Sequence, residues 1–139
     1  MQHVLVDTGV WYAMFDNGDP YWGQTTEKEA LLELFAVVIP WPTMYETLRT
    51  RMARNRRSMR RLEEYLKRPH LAFLDDSPYR EGALDLSFSS SLRGFRPLSM
   101  VDCLIRFILE DVNVMVHYLA TFNDRDFQDV CHKRRIEIF

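Results

Sequence analysis

No apolar run in the 139-residue chain reaches the roughly 18–20 residues that a membrane-spanning helix needs. Cysteine is scarce: Cys103 and Cys131 are the only two. A disulfide framework is thereby excluded, and two reduced, largely buried thiols of a cytoplasmic protein are expected. The five glycines are scattered, so there is no Gly-rich phosphate loop. His3, His70, His117 and His132 have neither zinc-type spacing nor an obvious cysteine partner. Met1-Gln2-His3 leads directly into an apolar run. With no basic segment, apolar stretch and small-residue cleavage site in sequence, a secretory signal is not expected. Net charge is only −2, which by itself argues neither for nor against a polyanionic partner.

What is present describes an ordinary globular chain. Hydrophobic residues make up 47%, aromatics 13% and charged residues 27%. That suffices for one core, and a single domain over residues 1–139 is expected. The charges are unevenly placed. Between Arg49 and Arg61 lie seven arginines and no acid. Acids gather elsewhere, at Asp75-Asp76, Glu110-Asp111 and from Asp124 to Asp129. A basic surface can therefore coexist with an acidic pocket.

Short β-like runs alternate with longer helix-like ones. Strands are predicted at His3–Val6, Phe35–Ile39, Leu71–Leu74, Val114–Leu119 and Ile136–Phe139. Helices are predicted at Thr8–Phe15, from about Tyr21 to Leu34, and from Pro42 or Thr43 onward, continuing or restarting through Leu62 and Leu66 and ending before Pro69. Another follows Asp75-Asp76-Ser77-Pro78, with Ser89 to Pro97 as its end and a loop. Ser99 is a good N-cap for the next, and the last runs from Asp124 to about Lys133. Between Thr8–Phe15 and Tyr21, Asp16-Asn17-Gly18-Asp19-Pro20 reads as a turn. This alternation predicts an α/β fold with a mostly parallel sheet between helical layers. Ligands of such sheets bind beyond the carboxyl ends of the strands.

Acids fall at that edge. Asp7 directly follows the first strand, and Asp124 and Asp126 follow the fourth. Glu46 lies one turn into the helix after the second strand. Asp102 lies one turn into the helix beginning near Ser99. Each has a plainer reading: Asp7 as an N-cap, Glu46 and Asp102 as first-turn acids favoured by the helix dipole, Asp124 and Asp126 as caps of the last helix. Gathered together, uncompensated carboxylates would raise one another's pKa values and cost stability. Mg²⁺ or Mn²⁺ removes that cost, since both prefer oxygen ligands and retain waters and substrate phosphates. A metal-bound water can then attack a phosphodiester.

Val4-Leu5-Val6-Asp7-Thr8-Gly9-Val10-Trp11, Tyr45-Glu46-Thr47-Leu48, Leu98-Ser99-Met100-Val101-Asp102-Cys103-Leu104-Ile105 and the stretch from Leu119 to Phe127 together resemble the PIN-domain nucleases. That family includes the toxins of many toxin–antitoxin pairs, among them the virulence-associated type. The resemblance covers nearly the whole chain. It implies a three-layer α/β/α domain with a five-stranded parallel sheet, Mg²⁺ or Mn²⁺ as cofactor, and endoribonuclease activity on RNA. It also implies homodimers and an antitoxin protein as partner. Where many relatives carry an Asp two residues after the Thr, this chain has Asn123, a polar ligand without charge.

On that resemblance, Asp7 and Asp102 would hold the principal metal and Glu46 would bind it or position its water. Asp126, with Asp124 next, would support a second metal, beside Asn123. Thr8 and Thr121 would hydrogen-bond ligand oxygens. Arg49, Arg51, Arg54, Arg56, Arg57, Arg60 and Arg61 are either a solvated helix surface, a track for the RNA backbone, or a docking face for an acidic partner. Trp11, Tyr12 and Trp22 could stack bases, although such aromatics are more often core or interface. Two rival functions remain: a catalytically weak RNA- or protein-binding relative, for which Asn123 is the support, and a metal-dependent phosphatase-like enzyme on a small substrate.

Overall fold

Five short strands carry the fold: β1 (His3–Val6), β2 (Ala36–Pro40), β3 (Leu71–Leu74), β4 (Tyr118–Ala120) and β5 (Glu137–Ile138). In the computed structural model, which describes residues 1–16, 21, 30, 32–49, 51–94 and 96–139, they pair in the order β3-β2-β1-β4-β5. Every pairing is parallel. Parallel strands need crossovers, and six α-helices are described: α1 (Thr8–Phe15), α2 (Trp41–Leu48), α3 (Arg56–Leu66), α4 (Arg80–Arg93), α5 (Met100–Glu110) and α6 (Asp124–Arg134).

Side-chain alternation along the strands divides the core in two. Val4 and Val6 of β1, with Val37 and Ile39 of β2, face one layer, formed by Val10, Trp11 and Met14 of α1, Met44 of α2 and Leu62 and Tyr65 of α3. Leu5 and Leu119 face the other, formed by Ile105, Ile108 and Leu109 of α5 and Phe127 and Val130 of α6. Helix α4 covers α5 from outside through Ala83, Cys103 and Leu104. The result is the expected three-layer α/β/α arrangement. Both cysteines are buried free thiols, and burial pushes Cys131 up to about 11. No helix among the described residues is long and apolar enough to cross a membrane.

One segment departs from the sequence reading. The strand predicted over Val114–Leu119 is confined to Tyr118–Ala120. Upstream, Asp111 accepts the backbone N–H groups of Asn113 (2.9 Å) and Val114 (3.1 Å), which turns the chain. Val114 and Val116 still pack on the α5–α6 layer. Of the continuing or restarting helix expected through Leu66, the structure has the restart: Asn55 caps α3 by accepting the Ser58 N–H at 3.1 Å. Such a cap competes locally with helix continuation. The helix end expected between Ser89 and Pro97 falls at Arg93, where α4 stops. The Ser90 hydroxyl donates to Ser87 O and accepts the Leu98 N–H, each at 2.9 Å, so its polar group is satisfied within the helix and its exit loop. Most of the Tyr21–Leu34 prediction, the turn at residues 17–20 and Trp22 lie outside the described residues.

Candidate functional site

Strand β1 delivers Asp7 to the carboxyl edge, where its N–H extends the ladder to Ala120 O at 2.9 Å. Asp7 is the N-cap of α1: one carboxylate oxygen, Oδ1, accepts the Thr8 N–H at 2.8 Å. The other, Oδ2, accepts the Thr121 hydroxyl at 2.8 Å. That hydroxyl in turn accepts the Asn123 N–H at 3.0 Å. The Thr8 hydroxyl donates to Glu46 Oε1 at 2.7 Å, and the Tyr12 hydroxyl donates to the Glu46 carbonyl at 2.6 Å. A capping acid and two threonines thus join β1, α2 and the end of β4.

The electrostatics register how close the acids stand. Asp7 is 4% exposed, and its carboxyl is pushed up to about 6, chiefly by burial. The Thr121 and Thr8 hydrogen bonds oppose that shift, while the neighbouring Asp102 and Glu46 charges add to it. Asp102, in the first turn of α5, donates its backbone N–H to the capping Ser99 Oγ at 3.1 Å. Its carboxyl is raised first by burial and further by Asp126, against the lowering influence of Ser99 and Arg96. Asp102 and Glu46 thus act on Asp7, and Asp126 on Asp102, as like charges.

Asp126 carries a counter-ion not anticipated from the sequence. Arg96 Nη2 lies 2.5 Å from Asp126 Oδ1 and also donates to Arg125 O at 3.0 Å. Arg106, four residues after Asp102, donates to Asp126 O at 2.6 Å and pairs bidentately with Asp129 at 2.8 and 2.7 Å. Asp126, Arg96, Arg106 and Arg125 line one open cleft of about 610 Å³. Nothing in the sequence around Arg96 marks it, whereas the four-residue step from Asp102 to Arg106 is a helical neighbour relation that could have been read. Asp76 is a further buried acid, held by Arg80 through bonds of 2.9 and 3.1 Å beyond β3.

Among the described residues, no group of three His, Cys, Asp or Glu side chains is set to hold a metal ion as it stands. Asp7 accepts from Thr8 and Thr121, Glu46 accepts from Thr8, and Asp126 faces Arg96. The donor set nevertheless fits hard cations, because the side-chain donors gathered here are oxygens. Asp7 and Asp102, with Glu46, would hold the ion; Asp126 would join once Arg96 turns away. Asp124 and Asn123 are exposed at the outer start of α6.

The remaining candidates spread out. Trp11 is fully buried among Phe15 and Tyr65 and has no free face for a base; it is a core residue. Tyr12 spends its hydroxyl on Glu46 O. The arginines do not lie on one helix. Arg49 ends α2, Arg51 and Arg54 lie on a 3₁₀ turn, and Arg56, Arg57, Arg60 and Arg61 lie on α3. Arg51 pairs with Asp16 at 3.3 Å, and Arg61 packs 5.5 Å over the Phe15 ring. Because α2 runs back from the carboxyl edge, this basic region begins one short helix below the acids. Comparisons with protein-family models, curated proteins and solved structures each return no match.

Proposed function

We propose that this chain is a metal-dependent endoribonuclease of the PIN type, acting at the carboxyl edge of its parallel sheet. The observation that carries the proposal is Asp7, buried and hydrogen-bonded at the carboxyl end of β1, with Thr8 tying Glu46 to the same rim; burial chiefly, and the Asp102 and Glu46 charges in addition, raise its carboxyl. Carboxylates that act on one another repel, and a cation would offset that repulsion. When bound, Mg²⁺ or Mn²⁺ supplies a nucleophile from water at neutral pH and stabilises charge on a phosphoryl group.

The chain's own residues supply the rest. Thr8 and Thr121 fix the orientation of Glu46 and Asp7. Arg96, Arg106 and Arg125 line the cleft together with Asp126 and Asp129, and arginines are suited to phosphate oxygens. A polymeric rather than a small substrate is favoured by the seven arginines that begin at the end of α2, because backbone phosphates reward extended positive surface.

The test is cleavage of a labelled single-stranded RNA with Mg²⁺, with Mn²⁺ and with chelator, by the wild-type protein and by Asp102→Asn. Cleavage that needs the metal and is lost in a folded Asp102→Asn protein is expected. Absence of any cleavage, or cleavage indifferent to chelator, would overturn it.

A further inference from the structure

Aromatic side chains are usually buried, yet three stand in the open beside the acids. Trp41 is 42%, Tyr45 66% and Phe73 37% exposed. Trp41 and Phe73 are already stacked, with ring centroids 4.1 Å apart and planes 18° from parallel. Tyr45 lies one helical turn beyond Trp41, its centroid 6.4 Å away. The sheet dictates their position. Phe73 is paired with Ile39 near the carboxyl end of β3, and Trp41 follows directly on Pro40, the last residue of β2. The cluster therefore occupies the same edge of the sheet as Asp7, over the neighbouring strands.

Along α2 the four-residue steps Trp41, Tyr45 and Arg49 make one outward stripe. All three are exposed, while Thr43, Met44 and Thr47 on the opposite side are buried. Glu46, the helix's contribution to the acidic site, is next to Tyr45. Beyond Arg49 the chain continues into the acid-free arginine run. Stacked rings at the rim, followed by Arg49 at the end of the same helix and by further arginines in the 3₁₀ turn and helix after it, match an unpaired polyanion with flat bases. Against a folded protein the arginines would need a strongly acidic surface and the rings an apolar one; a single RNA strand satisfies both at once.

We infer that Trp41, Phe73 and Tyr45 form a stacking platform for unpaired bases of single-stranded RNA, holding the strand while its backbone passes the carboxylates and Arg49 contacts a phosphate. This rests on the nuclease reading for the identity of the polymer, but the binding itself does not depend on catalysis. Duplex RNA, with its bases already stacked on one another, would gain nothing from the rings.

The experiment measures fluorescence anisotropy of a labelled oligoadenylate of about 12 nucleotides, in chelator to prevent cleavage. Proteins compared are wild type, Trp41→Ala, Phe73→Ala, Tyr45→Ala and the conservative Tyr45→Phe, each checked by thermal melting. Tyr45 is mostly solvated, so its alanine variant removes a ring face without a core cavity. Each alanine should weaken binding by about tenfold, as loss of a base–aromatic stack does. Tyr45→Phe should bind like wild type. An oligonucleotide of the same length with abasic sugars should bind the wild type more weakly than the intact one binds any single alanine variant.

Alanine variants that bind like the wild type would overturn the platform, as would equal affinity for intact and abasic strands. So would a shift of the variants from dimer to monomer in sedimentation with RNA affinity unchanged, since the rings would then serve self-association. Wild-type cleavage in Mg²⁺ is followed in parallel. Cleavage with unaltered variant binding removes the platform alone. Ring-dependent binding with no cleavage supports the platform and removes nuclease activity.

Discussion

The Thr8 hydroxyl donates to Glu46 Oε1 at 2.7 Å across 38 residues of chain. This bond ties the first turn of α1 to α2 and turns Glu46 toward the Asp7 side of the rim. A hydrogen bond to a carboxylate is worth about 1.5–3 kcal/mol, so Thr8→Val should lower kcat/KM for RNA cleavage by about tenfold or more. Thr8→Ser, which keeps the hydroxyl, should stay near wild type. Equal loss in both variants would show that the methyl packing, not the bond, was needed.

The Asp7 carboxyl is pushed from 3.8 up to about 6 by burial and by Asp102 and Glu46. Between those two values the folded protein holds more protons than the unfolded chain, so stability falls as pH rises through about 4 to 6. Above pH 6 the ionised, metal-free Asp7 costs about 3 kcal/mol. Asp7→Asn removes that charge while keeping an acceptor for the Thr8 N–H. At pH 8 in chelator the variant should melt several degrees above wild type, and the gap should close toward pH 4. A gap independent of pH would separate Asp7 from this destabilisation.

Arg96 competes with any cation for Asp126, at 2.5 Å. Arg96→Gln should therefore tighten Mg²⁺ binding several-fold, read as a lower Mg²⁺ concentration for half-maximal thermal stabilisation. Unchanged Mg²⁺ dependence would take Asp126 out of the ligand set.

Much of this arrangement was legible in the chain. Strand β1, Asp7 and α1 follow directly from an apolar run, a capping acid and an eight-residue helix, because local propensity and tertiary placement agree there. Ser99 as the cap before Asp102 was equally readable. What sequence could not show was long-range. Arg96 meets Asp126 only after α4, α5 and α6 are packed, and no periodicity links positions 30 apart. Trp11 and Trp41 illustrate the same limit: both follow a strand closely, yet one fills the core and the other stands at the surface. The Val114–Leu119 run looked like one strand because most of it is apolar, but only Tyr118 and Leu119 are in β4, while Val114 and Val116 pack on the α5–α6 layer after a turn set by Asp111.

The most direct measurement is crystallographic: anomalous scattering from crystals grown with Mn²⁺. A peak bridged by carboxylate oxygens of Asp7 and Asp102, with Glu46 on the same ion directly or through water, is the predicted result. Fully loaded crystals whose Mn²⁺ peaks avoid Asp7 and Asp102 would contradict it.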